Sequence, residues 1–169
     1  MSSGPQTEKV LYGDACSHVL STPLKVFLPL LELEGDGAVV MDEKAGADGA
    51  STGIVTGVDV GVIVVEPSVH SIKTANQIAE LMDFFATPYV FVGNKVTGTD
   101  DQKFLEDELT DKPVVHIPNE PDVKRNPFAY QSDWHSTLEK LFSEFKKRKN
   151  NDRLSRTIEK FSRNASFSG

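Results

Sequence analysis

A layered α/β fold, a three-layer sandwich around a mainly parallel sheet, is predicted by two features of this 169-residue chain. The first is a pair of apolar runs without polar alternation, "VGVIVVEP" (Val60 to Pro67) and "PYVFVGNKV" (Pro88 to Val96). Runs of that kind mark strands buried on both faces, which belong to parallel sheets. The second is what lies between and after them: stretches with apolar residues at helical spacing. Strands alternating with helices imply right-handed crossovers and helices packed on a sheet.

The elements follow in order. Residues 1–8 are polar and expected to be disordered. "KVLY" (Lys9 to Tyr12) suits a short strand. From His18 to Leu33, Val19, Leu20, Leu24, Phe27, Leu28 and Leu31 suit a helix that Pro29 should kink or end. "GDG" (Gly35 to Gly37) reads as a turn before a strand at 38–41, which ends in Asp42. The glycine-rich stretch Ala45 to Asp59 leaves room for one short helix near Ser51 to Thr56. Ser68 is placed to cap a helix reaching Phe85, with Ile72, Ala75, Ile78, Ala79, Leu81 and Met82 inward. Asp100 to Leu109 is a short acidic helix and "PVVHIP" (Pro113 to Pro118) a further strand. Ser132 begins a helix to Lys149, with Trp134, Leu138, Leu141, Phe142 and Phe145 on one face. Asp152 to Phe161 is amphipathic, and the tail "NASFSG" should fray.

Composition narrows the function. Net charge is −7, which argues against nucleic-acid binding, because that needs a phosphate-neutralising basic surface. The basic run Lys146 to Arg156 reads as a solvated helix end, with a phosphate or partner contact as the alternative. Cys16 is the one cysteine, so no intramolecular disulfide forms and a reducing, cytoplasmic setting is expected. No run is long enough to span a membrane.

Ligands of parallel sheets bind at the C-terminal ends of the strands. Those ends carry Asp42, Glu66-Pro67-Ser68, Asn94-Lys95 and Pro118-Asn119. A carboxylate there can serve Mg²⁺, and an amide presents a donor beside an acceptor, as a purine edge requires. Alone, each also fits a turn or cap residue. Their order is more informative: "VVMDEKAG", then "VVEPS", then "VGNKV", then "IPN", each behind an apolar strand.

That ordered set, over residues of about 13 to 145, resembles the deviant-Walker P-loop ATPases of the MinD/ParA/CobQ type. Within them it is most similar to the CooC-like maturation ATPases of carbon monoxide dehydrogenase. The resemblance implies that Asp42 is the Walker B residue linked to Mg²⁺ and that Gly46 is the switch glycine near the terminal phosphate. It implies that Asn94 contacts adenine with Lys95 shaping the pocket, and that Pro118 and Asn119 line the base and sugar. The cofactor would be ATP with Mg²⁺. The family's Cys-x-Cys motif corresponds to Asp14-Ala15-Cys16, so Cys16 and Asp14 would bind Ni²⁺ or Zn²⁺ across a homodimer, in the service of a metalloenzyme client. The plainer reading is a helix-start cysteine with a capping Asp.

One departure matters. No G-x-x-x-x-G-K-[ST] and no "KGGxGKT" occurs in the sequence. "GADGAST" (Gly46 to Thr52) lacks the lysine and follows the Walker B position instead of preceding it. The expected fold is therefore P-loop NTPase-like but incomplete at the N-terminus, with a partial NTPase domain at 9–149 and a C-terminal helix and frayed tail at 150–169. A gene fragment, a degenerate paralogue and a site shared with another subunit all fit. The expected function is an ATPase-family nucleotide-binding protein that does not hydrolyse ATP as the chain stands, an accessory factor in nickel-centre maturation. The alternative is a non-catalytic interaction or dimerisation domain on the same fold.

Overall fold

A computed structural model describes residues 22–33, 35, 37–43, 54–121 and 134–166. The expectations for Lys9 to Tyr12, Asp14, Cys16, Gly46 and Ser132 lie outside the described residues. Helix α1 (Thr22–Phe27) passes into a 3-10 turn at Leu28–Leu30. Pro29 sits in the first turn of that segment, where its missing N–H costs nothing, and the α-helix ends before it as expected. A second 3-10 turn, Ile54–Gly57, stands where a short helix was anticipated.

Strand β1 (Gly61–Val65), helix α2 (Val69–Phe84), strand β2 (Tyr89–Val96), helix α3 (Thr99–Glu108) and strand β3 (Val115–Pro118) form two successive crossovers. The sheet is three-stranded, ordered β1-β2-β3 and parallel throughout. Both crossovers step in one direction, so right-handedness puts α2 and α3 on one face. The core bears this out. Ile63, Val65 and Phe91 of the sheet pack with Ile72, Ala75, Ala79 and Met82 of α2 and Leu105 of α3. Ser68 caps α2, its side chain accepting from the Ser71 N–H at 3.2 Å. Helix α4 (Trp134–Arg148) lies against β3, and α5 (Arg153–Ser166) lies against the 3-10 turn at Ile54–Gly57. Helices thus flank a parallel sheet, the layered α/β class the sequence predicts.

Four expectations are corrected. Residues 38–41 form no strand; they are irregular, and Val39 and Val40 are exposed. An apolar run becomes a strand only when a neighbouring edge accepts its backbone, and this one is not in the sheet. Strand β1 is not buried on both faces: Ile63 and Val65 face the core while Val62 and Val64 stay open. The second face is closed over Val90, Val92 and Val115 but not over the edge strand. The basic run is not simply solvated, since Arg156 is buried and Arg148 bridges Tyr89 and Asp111. Helix α5 continues through Ser166, beyond the point where fraying was expected.

Candidate functional site

The C-terminal tips of β1, β2 and β3 come together along one rim. Parallel pairing matches Val65 with Gly93 and Gly93 with His116. The next residues, Glu66 after β1 and Asn94-Lys95 near the end of β2, are therefore neighbours. On the far side, Val96 pairs with Pro118, and the Asn119 N–H donates to the Val96 carbonyl at 3.1 Å. Of the residues proposed from the sequence, Asn94, Lys95, Pro118 and Asn119 thus meet at this rim. Asp42 lies on exposed irregular backbone, not at a strand tip.

The "GNK" turn is built by an irregularity. Between Gly93 and Val96 the β2–β3 register shifts, so β2 carries one residue more than β3 across that interval. Lys95 takes up the extra length with φ of +56°, a left-handed conformation uncommon outside glycine. Such bulges bend a strand and re-aim its side chains. Gly93 just before it has no room for a side chain unless its neighbours shift: a Cβ there would meet His116 Nδ1 at 2.6 Å and Leu105 Cδ1 at 2.9 Å.

Glu66 is a residue that the sequence placed at a strand end without giving it a role. It forms an ion pair with Lys95 across the β1 and β2 tips. Its backbone is fixed as well, its N–H donating to Ser71 Oγ at 3.0 Å while its carbonyl accepts from the Ser68 N–H at 2.7 Å. The available signal was an acid placed directly after a strand whose parallel neighbour ends in Asn-Lys. Beyond the bulge, the Thr97 N–H donates to Asp101 Oδ2 at 2.8 Å. The Thr97 hydroxyl and N–H together hold the Asp101 carboxyl below the usual carboxylate range. These bonds tie the start of α3 to the end of β2.

Chemically, the rim offers a half-buried amide at Asn94, a second amide at Asn119, and a lysine already engaged by a carboxylate. That set suits recognition of a planar heterocycle's donor-acceptor edge. It does not suit a polyphosphate, which takes several charge-assisted donors. Among the described residues no group of three or more His, Cys, Asp or Glu side chains could hold a metal ion. Mg²⁺ at Asp42 would depend on phosphate oxygens for other ligands. Cys16 and Asp14 lie outside the described residues. Among the described residues no helix is long and apolar enough to cross a membrane.

No family model matches the chain, and no solved structure matches it. An uncharacterized ATP-binding protein of Methanocaldococcus jannaschii is 27% identical over 114 residues, covering 68% of this chain and 46% of the relative. The chain therefore spans about half the length of the relative it matches.

Proposed function

We propose that the chain is a nucleotide-binding domain of the deviant-Walker P-loop ATPase type, similar to the CooC-like and MinD-like proteins, which binds ATP by its base and, as the chain stands, does not hydrolyse it. The observation that carries the reading is the assembly of Asn94, Lys95, Pro118 and Asn119 on one rim, in a chain similar to an ATP-binding protein. Asn94 reads the adenine edge, and Pro118 with Asn119 borders the base and sugar. Lys95, held by Glu66, shapes the pocket from the β1 side. Hydrolysis is not assigned to these 169 residues by themselves, since no phosphate loop lies among them. Without its amides and lysine the transition-state charge goes unstabilised. Asp42 and Gly46 keep the Walker B and switch-glycine roles that the resemblance implies. Bound Mg²⁺ would supply charge neutralisation of the phosphates.

The wider role we propose is accessory, in maturation of a nickel centre of a client metalloenzyme, with Cys16 and Asp14 binding Ni²⁺ or Zn²⁺ in a cytoplasmic homodimer. A second reading, a domain that binds no nucleotide and serves only in interactions, is favoured by one observation: the rim lysine is already paired with Glu66.

Calorimetric titration with Mg-ATP decides between them. The first reading expects a Kd tighter than about 100 μM, weakened at least about tenfold by Asn94→Ala. Absence of binding by the wild type selects the second. ATP turnover that disappears in Asp42→Ala would overturn the assignment of a non-hydrolysing site. For the metal, nickel or zinc titration of wild type and Cys16→Ser should differ; identical curves remove Cys16 from the site.

A further inference from the structure

Helix α5 is mounted with its polar side inward. Arg153, Arg156, Thr157 and Lys160, at i, i+3, i+4 and i+7, face the fold. Arg156 and Thr157 are only 6% and 4% exposed. Arg153 Nη2 donates to the Leu31 carbonyl at 2.9 Å, Arg156 Nη2 to the Val58 carbonyl at 2.7 Å, and Thr157 Oγ1 to Thr56 Oγ1 at 3.2 Å. Lys160 Nζ sits 4.3 Å from the centre of the Phe85 ring. The apolar residues of the same helix point outward: Leu154, Ile158 and Phe161 are 46%, 56% and 45% exposed.

Large side chains in a continuous exposed stripe need a partner. The spacing of this stripe, four residues then three, is that of a coiled-coil seam. What borders the stripe selects the partner. At roughly 100° per residue, Ser155 and Ser162 edge it on one side and Thr157 on the other. All four cations of the helix, Arg153, Arg156, Lys160 and Arg163, lie away from it. An amphipathic helix made for anionic lipid carries its Lys and Arg where they can reach the headgroups. Here Arg153 and Arg156 are committed to carbonyls of the fold instead. The other outward stripe, Leu138 and Phe142 on α4, is edged by His135, Glu139 and Lys146, so its borders are charged. A neutral border lets two identical stripes meet without opposing like charges, as an isologous contact requires.

We propose that α5 is a homodimerisation helix, its Leu154–Ile158–Phe161 stripe packing antiparallel against the same stripe of a second copy. The contact is short, fewer than three heptads, so the dimer is weak and its population depends on concentration. This proposal is independent of the nucleotide reading.

Sedimentation equilibrium of the full chain tests it. The wild type should move from monomer to dimer between about 1 μM and 1 mM, and Ile158→Glu should weaken association at least about tenfold. Since Ile158 is already exposed, the variant should keep the wild-type circular dichroism and melting temperature. In a Cys16→Ser background, a Leu154→Cys chain mixed with a Phe161→Cys chain should form the mixed disulfide in preference to either homodisulfide. A wild type that stays monomeric throughout that range overturns the proposal. So does a dimer unaffected by Ile158→Glu, or wild-type co-sedimentation with phosphatidylserine vesicles that Ile158→Glu abolishes.

Discussion

Helices α2 and α5 both carry apolar residues at helical spacing, and turn them in opposite directions. In α2 the apolar positions Ile72, Ala75, Ala79 and Met82 enter the core beneath the sheet. In α5 the apolar positions face solvent, and an Arg-Thr-Lys stripe holds the helix to the turns before β1. The difference lies in what each helix finds beneath it. Helix α2 is laid across an apolar sheet face by its crossover. Helix α5 reaches a rim of carbonyls, Leu31 and Val58, and the carboxylate of Asp59. Carbonyls and carboxylates are satisfied by cations, not by Leu and Ile. The bargain is incomplete, since Arg156 keeps Nε and Nη1 buried without a hydrogen-bond partner among the described residues. The Arg153 Nε–Asp59 Oδ1 approach of 3.3 Å is an ion pair that lacks hydrogen-bond alignment. Apolar packing holds α2 firmly, and polar docking should hold α5 less so.

Substitutions can widen or erase this contrast. The largest effect belongs to the α2–sheet core. Phe91→Ala, under the core cluster, should cost about 3–5 kcal/mol in chemical denaturation. Gly93→Ala should come next, at about 1–3 kcal/mol, because the new Cβ must displace His116 and Leu105. Loss of the α2 cap in Ser68→Ala should cost about 1 kcal/mol. A fourth test addresses α5. Burial, with Lys25 adding to it, pushes Lys160 down from 10.5 to about 8. The folded pKa lies below the unfolded one, so the charged lysine penalises folding fully below pH 8, and the penalty is relieved as pH rises from 8 toward 10.5. Lys160 is only partly buried, so solvent screening keeps the effect to roughly 1 kcal/mol or less. Stability should rise between pH 8 and 10 in the wild type relative to Lys160→Met, which lacks that titration; parallel pH profiles would remove Lys160 from the docking face. The smallest effect is expected at the outward stripe of the isolated chain, where Ile158→Glu should change folding stability by no more than about 0.5 kcal/mol.

Much of the rim was legible in the sequence. "VVEPS" and "VGNKV" each gave a strand and a tip, and parallel order placed the tips side by side. The bulge was not legible, because a left-handed lysine follows from strand register and no residue type encodes it. Glu66 was visible only as an acid after a strand, since its partner lies 29 residues away in sequence. Asp42 shows the opposite failure. The run before it has the composition of a strand, but composition supplies no hydrogen-bonding neighbour, and the sheet does not include it.

By itself the sequence determined the parallel α/β core, because uninterrupted apolar strands and period-3.6 helices each have one economical way to bury their surface. It also determined the cap on α2 and the end of α1 at Pro29, both local backbone effects. Only the tertiary structure decided that β1 is an edge with Val62 and Val64 open, that Lys95 turns back to Glu66, and that α5 shows its apolar side to solvent. Periodicity fixes which residues share a face; which way that face turns depends on the partner surface, and the chain brings that surface from far away in sequence.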